Sequence, residues 1–350
     1  MRDKHIHVAE DSALLKVIYN QVEEQLIIDE RRTTLLLCFK FIFYFLLSVA
    51  LYGLLFHTQN RILFIGAFVL YGFTSLLLAF NFAHDFSHNT IFKSKKWNNL
   101  GFVSLYTLVG AHAAAWKLRH VHSHHYAPNV EDYDSDMKIA TIIRVIPERK
   151  ASWYHRFQHY YAPIAYTTYS FFWVFIKDFV ILVSPDEFKQ KRNLSYYLSF
   201  AMQKTVYLGY ILVLPIMLTR QPWYMVLAGF LIMHLAQSVF LLFTFFITHH
   251  VEATNYPTTD ERGYINCSWL DNQVRSSNDF YPFSKLANFI FGGFNNHIAH
   301  HLFPHISSVH YPELNKILYR VLIEHDIRPN QTTYWGGVRS HLRLLKKMSR

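Results

Sequence analysis

The stretch ILFIGAFVLYGFTSLLLAFNFAHDFSH, from Ile62 to His88, decides how the rest of the chain is read. From Ile62 to Phe82 it carries no charge. A helix rises about 1.5 Å per residue, so roughly 20 such residues cross a hydrocarbon core of about 30 Å. The run ends in His84 and His88, four residues apart, a spacing that puts both imidazoles on one helical face. The simplest reading is a membrane helix that continues out of the bilayer and presents two metal-capable side chains. Taken alone the pair is weak evidence, because ordinary helix surfaces produce the same spacing.

Outward from this stretch, three further segments have the same character. Leu35–Phe56 is nearly all apolar, Ala201–Thr219 carries Lys204 near one end, and Trp223–Thr248 has no charge. The chain is 51% hydrophobic, with 31 Phe and 23 Tyr among its 350 residues. Such a composition with such runs excludes an ordinary soluble domain. Spans are expected at about 35–56, 62–82, 201–219 and 223–248. The expected fold is an all-α integral membrane protein, with four transmembrane helices in two hairpins and a cytoplasmic helical cap. Residues 1–34 would form a cytoplasmic N-terminal segment, and 35–347 the membrane domain. Leu100–Trp116, about 17 residues, reads as a re-entrant or interfacial segment. Ile164–Ser184 carries Lys177 and Asp178 in its middle, and charge is costly at the bilayer centre, so a surface helix is expected there.

The joints His57–Arg61 and Arg220–Pro222 are very short and should turn on one membrane face. The other face then receives Lys93, Lys95, Lys96, Arg144, Arg149, Lys346 and Lys347, which the positive-inside rule assigns to the cytoplasm. Lys40, near that end of the first span, is expected to snorkel. The net charge of +10 fits cytoplasmic loops and anionic lipid contacts. No nucleic-acid motif is present. The polar first 34 residues give no expectation of a cleavable leader. Cys38 and Cys267 form no Cys-x-x-Cys and imply neither a disulfide framework nor a thiolate metal site.

Two more histidine clusters follow the pattern of the first. One is His120-Val121-His122-Ser123-His124-His125, the other His297-Ile298-Ala299-His300-His301. On an α-helix His120 and His124 share a face with His125 beside them, while His122 points away. His297, His300 and His301 share a face by the same argument. Imidazole is a ligand for iron, copper, zinc and nickel. Eight clustered rings exceed what one tetrahedral zinc can use, so a two-metal site is expected. Asp85, Asp132, Asp134, Asp136 and Glu252 are candidates to orient ligand rings by accepting the second imidazole N–H.

These boxes resemble those of the membrane fatty acid desaturases. The resemblance extends to Gly292-Gly293-Phe294-Asn295-Asn296 before the third box and Leu302-Phe303-Pro304 after it. It includes Trp116-Lys117-Leu118-Arg119-His120, the run Arg156–Pro163 and Ser340-His341-Leu342-Arg343. It covers about residues 35–347 and is similar above all to stand-alone front-end, linoleoyl-CoA-desaturase-like enzymes. Many front-end enzymes have Gln where this chain has His297, which weakens the regiochemical label but not metal binding. The resemblance implies two Fe ions held by His84, His88, His120, His124, His125, His249, His297, His300 and His301, with His250 as alternate to His249. It also implies an Asn278 that meets metal-bound water, O2 as co-substrate, and desaturation of a long acyl chain linked to CoA or lipid. No His-Pro-Gly-Gly haem motif occurs in the chain. Electrons are therefore expected from a separate ferredoxin or cytochrome b5 type donor with its reductase. A bacterial inner membrane or endoplasmic reticulum location follows, with the site on the cytoplasmic side. Soluble di-iron proteins use Glu-x-x-His pairs, and this chain has none. A histidine-box hydroxylase is the alternative within the chemistry, and a metal transporter the distant one. Elsewhere, His5, His7, His57, His325 and His341 are expected to be exposed. His112 and His234 should be hydrogen-bonded core residues, and His155, His159, His305 and His310 resemble family positions.

Overall fold

The computed structural model describes residues 4–137, 142–184 and 192–350. It is mostly helical, with almost no sheet. Four helices are long and apolar enough to cross a membrane: Glu30–His57, Arg61–Ser87, Leu194–Leu218 and Trp223–His249. All extend past at least one end of the apolar runs. Hydropathy marks the part that sits in lipid, while helical hydrogen bonding continues through Glu30–Thr34 and through the first box.

The chain divides into two compact units. One comprises Leu35–Leu118 and Ile164–Leu242, the other Met1–Thr34, Arg119–Pro163 and Phe243–Arg350.

The first unit holds most of the spans. Its core gathers Leu55, Phe64, Phe68, Tyr71, Val174, Tyr207, Ile211, Val226, Phe230 and Met233. Close approach of the second and fourth spans depends on two glycines. A Cβ on Gly72 would collide with the Met233 side chain, and one on Gly229 would lie 2.6 Å from Phe68. Small residues at such crossings are the usual means of packing helices in lipid. The two short joints meet: Gln221 Nε2 donates to the carbonyls of Gln59 (2.8 Å) and Thr58 (3.3 Å). Both hairpin turns therefore lie at one end of this unit, as the joint lengths required.

Leu100–Trp116 is not one helix. Lys95–Leu108 ends at a turn around Gly110, whose φ is +77°, and Ala113–Arg119 begins a new helix. Fourteen residues span only about 21 Å, short of a bilayer. A Cβ at Gly110 would press within 2.6 Å of the Tyr207 ring, so both the backbone and the contact demand glycine here.

Three expectations are corrected in this unit. Ile164–Ser184 is not a water-facing surface helix at its charges, since Lys177 and Asp178 are 3% and 1% exposed. Asp178 pairs with Lys204 at 2.7 Å, and Lys204 also donates to the carbonyls of Gly110 and Val174. A charge that looks solvent-seeking in sequence is thus neutralised by a partner on another helix. Lys40 is likewise buried instead of snorkelling, with Asp85 as its electrostatic neighbour. His112, also buried, is not hydrogen-bonded through its ring: among the described residues neither nitrogen has a partner.

In the second unit the amphipathic helix Ala9–Gln25 packs Leu14, Leu15, Ile18 and Val22 against Leu314, Leu318 and Leu322 of Tyr311–Glu324. Trp269–Arg275 and His297–Leu302 share this core through Leu270, Val274, Ile298 and Leu302. A two-stranded parallel ladder pairs Asp279 with Gln331 and Phe280 with Thr332. Two histidines expected at the surface are buried here. His5 Nε2 meets Asn272 Oδ1 at 3.2 Å, and His341 Nδ1 donates to the His250 carbonyl at 2.7 Å.

Candidate metal centre

The second histidine box does not form α-helix. His120–His124 is a π-turn, closed by His125 N–H to the His120 carbonyl at 3.0 Å. π-turns are rare and concentrate at functional sites. The wider turn brings His120 and His125 into register, with Nε2 atoms 3.1 Å apart. His124 is turned toward other partners, and His122 is exposed, as its position predicted. The rings of His120 and His124 still stack, 5.5 Å apart, but their donor nitrogens fall in different groups.

The third box divides as well. The helix His297–Leu302 gives His297 and His301 to a group with His124 and His249, while His300 joins His120 and His125. Donor nitrogens within each group lie within 4.8 Å of one another. The groups adjoin, since the rings of His125 and His301 stack at 4.6 Å; within the second group His125 and His300 meet edge-on at 4.4 Å. In the other unit, His84 and His88 of the first box face each other with ring centroids 5.0 Å apart.

The four-histidine group has a chemical peculiarity. His249 Nε2 lies 2.9 Å from His124 Nε2, 2.6 Å from His297 Nε2 and 3.3 Å from His301 Nε2. His249 Nδ1 lies 2.8 Å from the Ser276 carbonyl, and His124 Nδ1 lies 2.9 Å from an Asp134 carboxylate oxygen. Those oxygens only accept, so both Nδ1 atoms carry the proton. In neutral rings both Nε2 atoms are then bare lone pairs, aimed at each other across 2.9 Å. That contact repels unless a proton or a metal cation lies between the lone pairs. Metal–nitrogen bonds of about 2.0–2.1 Å would set neighbouring ligand nitrogens about 3 Å apart. The residues present fit a histidine-bound transition metal.

The rings differ in their electrostatics. Burial pushes His301 well below the ordinary imidazole pKa, helped by His125, His297, His124 and His249 around it. Burial also opposes charge on His124, but Asp134 and Asp136 outweigh it and hold that ring above its ordinary value. His124 is thus the ring whose donor strength a carboxylate enhances.

Other expected residues fall elsewhere. His250 lies outside the group, its Nδ1 3.0 Å from the Tyr256 hydroxyl. Asn278 is buried and donates to the Ile247 carbonyl (2.7 Å) and Thr332 Oγ1 (3.1 Å), which ties it to the strand pair. Its Oδ1 has no partner among the described residues. Asp85 stands 3.8 Å from His84 Nδ1, beyond hydrogen-bond length. Asp132 accepts from Thr259 and Glu252 lies 3.8 Å from Arg343, whereas Asp136 pairs with Arg119 at 2.9 Å and keeps a carboxylate oxygen within 4.8 Å of a His124 nitrogen.

Several supporting residues carry no sequence signal. Gln273 Oε1 sits 2.8 Å from His301 Nδ1. Asp279 accepts from the Ile298 N–H (2.9 Å), the Tyr319 hydroxyl (2.9 Å) and Asn315 (3.3 Å), and so holds the first turn of the third-box helix. Burial raises its pKa to about 7 against the pull of those donors. No short-range spacing connects these residues to the boxes they support.

A family model described as fatty acid desaturase matches residues 60–333. The chain is 30% identical to an acyl-lipid (8-3)-desaturase of Physcomitrium patens, over 85% of this chain and 63% of that protein. It is 27% identical to an sn-1 linoleoyl-lipid 6-desaturase of Arthrospira platensis, over 81% of this chain and 77% of that one. An acyl-lipid (8-3)-desaturase B of Dictyostelium discoideum is 30% identical over 80% of this chain and 63% of its own length. The chain thus spans under two thirds of the moss and slime-mould proteins.

Proposed function

This chain belongs to the fatty acid desaturase family, and from that premise we propose that it is a membrane enzyme that places a double bond in a long acyl chain. The single observation that carries the reading is the convergence of buried imidazole lone pairs in the four-histidine group. We assign one metal to His124, His249, His297 and His301. We assign the second to His120, His125 and His300, with His84 and His88 as further ligands on the strength of the first-box spacing. Iron is proposed over zinc because methylene carbons offer no polar handle for acid–base chemistry.

Two irons held there would supply oxygen activation and removal of hydrogen from adjacent methylenes. The chain's own residues do the rest. Asp134 and the Ser276 carbonyl fix the tautomers of His124 and His249, so that both present Nε2 to the metal. Asp279 anchors the helix that carries His297 and His301. Burial of all four rings keeps bulk water from the reacting position. Asn278 Oδ1 would accept from water bound at the centre.

The relatives' names favour a lipid-linked acyl chain over a CoA ester. The donor is a separate acidic redox protein of ferredoxin or cytochrome b5 type, drawn to a basic cytoplasmic face by electrostatic steering. Expression in a host that lacks polyunsaturated lipids tests the proposal. A new alkene in the fatty acids of membrane lipids is expected, and its appearance first in the acyl-CoA pool would reverse the carrier assignment. A hydroxylated chain with no alkene would replace desaturase with hydroxylase, and unchanged lipids with altered cell metal content would favour transport.

A further inference from the structure

Asn129 lies between the second box and the acids that follow it, and no motif marks it. Its backbone is left-handed, with φ +61°, and the residue is 1% exposed. A non-glycine residue held in that region of φ/ψ persists only where its surroundings over-determine it. Here the surroundings are the fixtures of two of the rings in the four-histidine group. The Asn129 N–H donates to Asp134 Oδ2 at 3.1 Å, the same carboxylate oxygen that His124 Nδ1 contacts at 2.9 Å. Its side-chain Nδ2 lies 3.0 Å from the His249 carbonyl, 3.0 Å from the Asn255 carbonyl and 3.3 Å from the Ser276 carbonyl. The Ser276 carbonyl is the acceptor that fixes the His249 ring.

We propose that Asn129 is a positioning residue for the metal centre, which ties the orientation of His124 to that of His249. One side of it braces the carboxylate behind His124. The other braces both the main chain of His249 and the oxygen behind its ring. The left-handed backbone is what lets one residue face both ways. The three carbonyls come from the end of the last span, the loop after it and the end of Trp269–Arg275, so a single amide closes the chain segments around the focus. This inference rests on the four-histidine group being a metal site.

The test uses the full-length protein in detergent, with anaerobic Co(II) titration followed by visible ligand-field absorption and by bound cobalt per chain. Wild-type protein addresses the underlying reading: absence of a four-nitrogen cobalt spectrum would refute the site itself, apart from any role of Asn129. Given that spectrum, Asn129→Gly keeps the left-handed backbone and the N–H to Asp134 but removes the amide. Asn129→Asp keeps size and backbone tolerance but cannot donate to the carbonyls. Both should bind Co(II) at this group about 10–100-fold more weakly, the range seen for residues that orient metal ligands. The spectrum should change while the other bound metal stays. Wild-type affinity and spectrum in Asn129→Gly would overturn the proposal. So would parallel loss of both metals, or failure of both variants to accumulate as helical, monodisperse protein, because each makes the residue a general scaffold element.

Discussion

His234 and His249 stand on the same helix, fifteen residues apart, and both are buried. Their surroundings differ in kind. His234 has Ser170 Oγ at 2.7 Å from Nδ1 and the Tyr207 hydroxyl at 2.8 Å from Nε2. Hydroxyls donate or accept as required, so the ring is satisfied in either tautomer. His249 has an acceptor behind Nδ1 and three other imidazole nitrogens in front of Nε2. The first arrangement is complete in itself and the second is not. Burial of a histidine therefore says little, and the chemistry of what faces each nitrogen says a great deal.

The comparison breaks most visibly by truncation. His249→Ala should release about one of two metals per chain and abolish turnover. His234→Leu should leave metal content unchanged and lower stability by about 1–3 kcal/mol, the cost of one unpaired buried hydroxyl on Tyr207, since Ser170 Oγ also lies 3.4 Å from Gln237 Oε1. Metal analysis beside denaturant unfolding separates them, and metal loss in the His234 variant would erase the distinction.

A second self-sufficient cluster sharpens the same contrast. Lys204→Met leaves Asp178, with a side chain fully buried, as an uncompensated charge. Loss of about 3–5 kcal/mol is expected. Most of it should return in Lys204→Met with Asp178→Leu, with metal content unmoved in both. A stability change under 1 kcal/mol for the single variant would contradict the pairing.

On the incomplete side, Asp134→Asn removes the carboxylate behind His124 while keeping its size. Metal affinity should fall about 10–100-fold, with little change in apoprotein stability. An unchanged affinity would show that the His124 tautomer is set elsewhere. The smallest effect belongs to His122→Ala, which lies in the second box but is exposed. Its activity and metal content should match wild type, and a large loss would return it to the ligand set.

Much of this architecture was legible in the sequence. The four spans were visible because lipid demands long uncharged runs, and Ile62–Phe82 supplies one without ambiguity. The boxes were visible because eight imidazoles at helical spacing have few bland explanations. Their partition was not, since α-helical spacing placed His120 with His124, and a π-turn instead aligned His120 with His125. The charges Lys177 and Asp178 suggested a water-facing helix because the partner of Asp178 lies on a distant helix at Lys204. The residues behind the rings, Asp134 excepted, were illegible. Ser276 acts through its main chain, and Gln273, Asp279 and Asn129 reach their partners only after the chain has folded.

The measurement that bears most directly on the central claim is iron stoichiometry with Mössbauer spectroscopy on anaerobically reconstituted, full-length protein. About two irons per chain are expected, both in nitrogen-rich surroundings. Protein that is folded and helical yet binds no iron, or only one iron that His249→Ala does not disturb, would contradict that claim.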